Sequence, residues 1–243
     1  MDAGIFILNG ISSADYGVHI QNRPDRIGAN RGYLTGTPSN RNGTVFTDLG
    51  VYDNTTLKLV CLFEATKSGK TIDDLIDWFD SADYMNYTPY YDDQYTYRVL
   101  VKTTPTFETV GIVHDVFTFE LDLEVYPLKF LNSSLSAQSG TDLKLTNPYK
   151  YIALPRITIT GSGTMTLSIT GSTPAPGRDA SQTYTMQNVN GTMVLDSLDP
   201  STDHPTWFTG LDYPYLNPGS NEVKLSGTSA ALSIIPRFAR KVG

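Results

Sequence analysis

The chain has one cysteine, Cys61, three histidines, and no run of apolar residues near the roughly 18 that a membrane-spanning helix needs. A single thiol excludes an internal disulfide, and so few Cys and His side chains exclude a Cys/His zinc site. Met1 to Gly10 has neither the basic start nor the apolar stretch of a cleaved export signal, so neither membrane insertion nor that route of export is expected. Basic charge is short as well. Lys and Arg number 18 against 25 Asp and Glu, a net charge of −7, which is the wrong sign for a surface that recognises nucleic acid through its phosphates. What the chain does have is 15 Tyr, 20 Gly and 14 Pro in 243 residues, a length that suits one large or two ordinary domains with cores of their own.

Helical periodicity occurs once. Ile72, Leu75, Ile76 and Phe79 fall at i, i+3, i+4 and i+7 of the stretch Thr71 to Asp80, with Thr71 as N-cap, Asp74 three residues on as in a capping box, and Asp73 and Asp77 near the positive end of the helix dipole. Elsewhere Gly and Pro punctuate short runs of Val, Ile, Thr, Tyr and Phe, the pattern of a mainly β chain. Alternation is cleanest from Val116 to Val125, where Phe117, Phe119, Leu121, Leu123 and Val125 share one face and Glu120, Asp122 and Glu124 the other. Three hairpins are predicted: Ile157 to Ile169 turning at Gly161-Ser162-Gly163, Tyr184 to Leu195 turning at Asn190-Gly191, and Val223 to Ile234 turning at Gly227.

Charge divides the chain. Residues 1–130 hold 18 acidic and 10 basic side chains, net −8, whereas 131–243 hold 7 and 8, net +1, and are rich in Ser, Thr and Gly. The composition shift near Pro127 to Gly140 predicts a boundary there. It separates an N-terminal α+β domain with one helix, 1–130, from a C-terminal β-sandwich of about eight short strands, 131–243.

Chemistry-bearing constellations are sparse. None of the histidines, His19, His114 or His204, lies in a metalloprotease or nucleophile-elbow motif. The adjacent pairs Asp73-Asp74 and Asp92-Asp93 read as caps and solvated faces rather than the opposed carboxylates of a glycosidase. No calcium-loop spacing occurs, so no catalytic residue, metal or cofactor is expected. Two sets of residues suit binding instead. Arg23, Arg26, Arg31 and Arg41 stand opposite in charge to Asp73, Asp77 and Asp80, which is what a head-to-tail contact between copies needs. Trp207, Phe208, Tyr213 and Tyr215 form an aromatic cluster able to stack on sugar or on a partner protein. The Gly-, Pro- and Asn-rich segment Gln21 to Thr44 reads as a loop that orders only on assembly.

Four stretches together resemble one family. The opening Ile7-Leu8-Asn9-Gly10-Ile11-Ser12-Ser13-Ala14-Asp15-Tyr16-Gly17-Val18, the segment Gly36 to Phe46 with Asn42-Gly43 followed by Tyr52 to Leu59, the position of the lone helix, and the ending Pro218 to Gly227 with Ile234-Ile235-Pro236-Arg237-Phe238 are similar to the distal tail (Dit) proteins of siphophages. The resemblance departs at Phe238, where Trp is common, and in the lack of a long insertion in the second half. It implies a non-enzymatic virion protein at the tail tip, made in the bacterial host cytoplasm. Its N-terminal domain would form a hexameric ring, possibly in two stacked rings, and its C-terminal domain would be a galectin-like or carbohydrate-module-like sandwich. Its partners would be the tail tube protein, a tail-associated tip protein and a receptor-binding protein, with no nucleic-acid specificity. A carbohydrate-binding, lectin-like protein is the alternative.

Overall fold

The computed structural model describes residues 1–37, 39–40, 42–111, 115–199 and 213–243. The chain forms two compact units, one of Met1–Lys129 with Lys241–Gly243 and one of Phe130–Arg240. The last three residues thus return to the first unit.

In chain order the first unit contains β1 (Phe6–Leu8), β2 (Ile11–Ser12), β3 (Val18–Ile20), β4 (Arg31–Gly36), β5 (Val45–Tyr52), β6 (Thr55–Glu64), α1 (Ala65–Ser68), α2 (Ile72–Phe79), β7 (Met85–Pro89), β8 (Tyr95–Val101), β9 (Phe107–Thr109) and β10 (Val116–Leu131). Its main sheet runs β2-β1-β7-β8-β10-β6-β3, with β9 also on β10. The β6–β10 ladder holds it together, unbroken from Val116 opposite Glu64 to Val125 opposite Thr55. The alternation read from the sequence is what fixes that register: Phe119, Leu121, Leu123 and Val125 are buried with Leu57, Leu59, Cys61 and Phe63, while Glu120 faces out.

Helix α2 starts where expected. Thr71 Oγ1 accepts from the Asp74 backbone N–H at 3.2 Å and the Asp74 carboxylate accepts from the Thr71 N–H at 2.7 Å, a complete capping box. The helix buries Leu75, Trp78 and Phe79, and the Trp78 indole stacks on Tyr16 at 4.4 Å. The short α1 was not legible, having only four residues. At Gly17, φ is +67° and an added Cβ would lie 2.6 Å from the Glu64 carbonyl, so only glycine fits between the first turn and β6.

The second unit contains β11 (Gln138–Ser139), β12 (Asp142–Asn147), β13 (Arg156–Gly171), β14 (Ser181–Asp196) and β15 (Gly219–Ile235), and the last strand, β16 (Ala239–Lys241), pairs with β10 in the main sheet. One curled sheet runs β11-β15-β13-β14, with β12 also on β15. None of the three expected hairpins exists. Each is instead one continuous strand of 16 or 17 residues, and the expected set of about eight short strands is replaced by three long and several short ones. Of the glycines read as turns, Gly161, Gly163 and Gly227 sit at register shifts, whereas Gly191 pairs in register with Gly161. The β13–β14 register shifts between Gly163 and Met165, and the β13–β15 register slips between Ser162 and Thr166. Met165 packs over the backbone there, since a Cβ on Gly161 or Gly227 would come within 2.6 or 2.9 Å of its side chain. Residues from both halves of the bent strands, Ile157 and Ile159 with Leu167 and Ile169, enter a single core, an arrangement compatible with a sandwich.

Candidate functional site

The segment Gln21 to Thr44 is not structureless throughout. Its later part, β4, pairs with β5 from Arg31 opposite Tyr52 to Gly36 opposite Val45, a two-stranded ribbon separate from both larger sheets. The ribbon carries apolar side chains on both faces. Cross-strand pairing puts Tyr33 and Phe46 on one face, their rings edge to face at 6.1 Å, and Leu34 and Val45 on the other. Of the nine large exposed hydrophobics among the described residues, Tyr33, Leu34, Val45, Phe46, Leu49 and Val51 lie here, with Leu34 and Phe46 64% and 65% exposed. A lone two-stranded ribbon is at best marginal in water, and one that displays apolar side chains on both faces is built to be covered.

The ribbon's base is pinned by charge. The Arg31 guanidinium grips Asp48 through two N–H groups, one of them Nε to Oδ1 at 2.7 Å, and Asp48 Oδ1 also accepts from the Gly50 N–H at 2.9 Å. The Arg31 hydrogen bond holds the Asp48 carboxyl below its ordinary value. Arg31, expected to meet another copy, is therefore engaged within its own ribbon. Arg23 and Arg26 are exposed, with Arg23 over the Tyr91 ring at 5.6 Å, and Arg41 lies outside the described residues. Asp73, Asp77 and Asp80 are exposed on α2 or at its end. Opposite charge is thus displayed on separate elements, and the apolar side chains of the ribbon are a feature that the sequence reading does not single out.

The other candidates divide. Trp207 and Phe208, with His114 and His204, lie outside the described residues. Tyr213 is half-buried, and Tyr215 is 5% exposed. The Tyr215 hydroxyl accepts from the Asp179 N–H at 2.9 Å, its backbone is paired by the Gln182 amide, and its ring lies under the Arg178 guanidinium at 5.0 Å. Tyr215 closes the 213–217 segment onto β14, so its ring offers no open face for stacking.

Carboxylates are likewise committed to structure. Asp92 accepts from the Tyr97 hydroxyl and from Lys129 Nζ, each at 2.5 Å, and the Lys129 ammonium lies over the Tyr95 ring at 4.5 Å. Burial, then the bond to Asp92, pushes the Tyr97 hydroxyl well above its ordinary value. An open groove of about 430 Å³ runs over β10 past Thr104, Glu108, Glu120 and Asp122, and Lys58 neutralises Glu120 at 2.8 Å. Lys102 and Asn54 hold the Glu124 carboxyl below its usual range. Among the described residues no group of three His, Cys, Asp or Glu side chains is placed to hold a metal ion. Burial pushes the Cys61 thiol up to about 12, far from the thiolate a nucleophile requires.

In sequence the chain matches no known family profile and no curated protein. In structure it is similar to the Dit protein of phage SPP1, described as a paradigm of the hub adsorption apparatus in phages infecting Gram-positive bacteria. The TM-score is 0.62 at 12% identity, over 98% of each chain. Two structures of the phage P2 baseplate in its activated conformation, one with Ca and one with Sr, each contain a chain with a TM-score of 0.53 at 10% identity, over 93% of this chain and 91% of that one. The likeness covers both units and bears out, at the level of fold, the resemblance drawn from the opening, belt and closing motifs.

Proposed function

We propose that this chain is a structural, non-enzymatic hub protein of the distal tail of a long-tailed bacteriophage or prophage, located in the virion at the tail tip. The observation that carries the reading is the end-to-end likeness to a phage adsorption hub, over 98% of both chains. A single domain of common fold would carry far less, since shared folds host unrelated functions. The chain works through interfaces. Its first unit, residues 1–130 in the sequence division, assembles into a ring of six, with the β4–β5 ribbon supplying the apolar contact and the exposed charges of Arg23, Arg26, Asp73, Asp77 and Asp80 setting register between neighbours. The ring joins the tail tube protein to a tip protein, and the second unit carries a receptor-binding protein.

The apolar ribbon supports assembly over a life as a free lectin, because a monomer would leave Leu34 and Phe46 in water with no compensating use. The test is the native mass of the purified chain, measured by light scattering on a sizing column across a range of concentrations. Six copies, or twelve if two rings stack, is the expected result. A monomer at every concentration refutes self-assembly by this chain.

A further inference from the structure

Among the described residues, strand β14 is the outermost strand of the second unit's sheet, hydrogen-bonded to β13 along one side and to no other strand along the other. Open edges are ordinarily protected by shortness, by charge or by proline. In the two larger sheets the other outermost strands conform: β2, β3, β9, β11 and β16 have two or three residues, and β12 carries Asp142 and Lys144. Strand β14 does not. It runs for 16 residues, and from Ser181 to Leu195 it contains no charged side chain and no proline.

The backbone groups that point off this edge can be identified. Ser181 pairs with Thr170, so Ala180 stands opposite Gly171, and the Gly171 N–H donates to the Ala180 carbonyl at 2.7 Å. Ala180 therefore directs its backbone groups inward. By the alternation of an antiparallel ladder, Ser181, Thr183 and Thr185 direct theirs outward. No hydrogen bond reaches the backbone of Thr183 or Thr185 from any described segment outside the ladder. The side chains of Thr183 and Thr185 are exposed, and they adjoin Ser168 and Thr166 of β13 in an uncharged hydroxyl row.

We infer that β14 is a docking edge for an extended, uncharged segment of a different protein, which adds to the sheet as a further strand along Ser181–Met186. The absence of charge selects the class of partner: a charged strand laid here would meet no counter-charge, whereas main-chain bonds supply affinity and a β-prone sequence fits the row. The edge argues against a second copy paired along its full length. Two residues of β14, Gln187 and Asn188, stand opposite one residue of β13, and Asn188 adopts φ +58°. Two β14 strands paired about a two-fold axis near their midpoints would set these bulges against each other and break both ladders. This inference stands on the edge alone and does not require the tail-hub reading.

The probe is a fluorescein-labelled synthetic peptide with the sequence of residues 164–170, the stretch that β14 already pairs with on its inner side, titrated by anisotropy into the full chain. The expected result is saturable binding that weakens about tenfold or more in Thr185→Pro, because an outward N–H is lost and the added ring blocks the edge. The inner ladder should stay intact, checked by an unchanged melting temperature. Should Thr185→Pro fail to fold, Thr185→Lys places a charge on the same edge and should weaken binding likewise. Unchanged affinity in the folded variant, or no binding at about 1 mM peptide, overturns the inference. So does protection of the Thr183 and Thr185 amides from hydrogen exchange without peptide, which would mean that the chain's own residues or a second copy already occupy the edge.

Discussion

Replacing Leu34 and Phe46 together by serine should separate assembly from folding. The two side chains lie on opposite faces of the β4–β5 ribbon and are about two-thirds exposed in the single chain. Fully burying a Leu or Phe is worth about 1.5 to 3 kcal/mol, so covering the exposed two-thirds contributes about 1 to 2 kcal/mol each. Removing both should weaken each contact between neighbours by about 2 to 4 kcal/mol, a factor of roughly 30 to 1,000 in its dissociation constant. Folding should hardly change, because substitutions at exposed positions cost within about 0.5 kcal/mol. The assay pairs light scattering over a dilution series with a thermal melt. The reasoning predicts a shift in the concentration at which the oligomer dissociates with little movement of the single-chain melt. An oligomer that dissociates at the same concentration in both proteins would refute it, and a large loss of melting temperature would show that the ribbon packs on its own chain instead.

Three further outcomes are expected. Asp92→Asn leaves the 8%-exposed Lys129 ammonium without its counter-ion and should cost about 3 kcal/mol in urea unfolding, whereas Lys58→Met at the exposed Glu120 pair should leave the urea midpoint almost unmoved. Burial opposes charge on Asp196, yet its hydrogen bonds from Arg237 and from the Asp199 and Leu198 N–H groups hold its carboxyl below the ordinary 3.8. A depressed carboxyl contributes stability above its unfolded value that is lost as pH falls through the folded one. Wild-type unfolding free energy should therefore drop below about pH 4 more steeply than that of Asp196→Asn, read by urea melts at stepped pH. Gly17→Ala should cost at least about 2 kcal/mol, from left-handed strain plus collision with the Glu64 carbonyl. Gly10→Ala, at φ +81° with nothing within 4 Å of the added Cβ, isolates the strain alone and should cost less.

What was legible in the sequence were features whose cause is local. Helix α2 declares itself through Thr71, Asp74 and a four-residue apolar repeat, all within one short stretch. The buried face of β10 follows from strict alternation over ten residues. The long strands of the second unit were misread because a glycine with positive φ serves a turn and a bulge equally well. Gly163 at +78°, beside a register shift, and Gly191 at +108°, in regular register, both lie inside continuous strands, and only the distant partner strand decides that the chain carries on. The β4–β5 ribbon was hidden by the density of Gly, Pro and Asn around it, although Tyr33, Leu34, Val45 and Phe46 flank an Asn-Gly pair. Tyr215 illustrates the converse limit: composition marks an aromatic cluster, but whether a ring faces water or an arginine depends on segments far away, here Arg178.

Val242 is 1% exposed in the core of the first unit, its N–H donates to the Pro127 carbonyl and its own carbonyl accepts from Ala29. During synthesis, residues 1–129 therefore emerge with that place in their core vacant, and it is filled only after all of Phe130–Arg240 has been made. The first unit's core is thus completed only by residues made after Phe130–Arg240, so its folding during synthesis lags behind the appearance of its own residues 1–129.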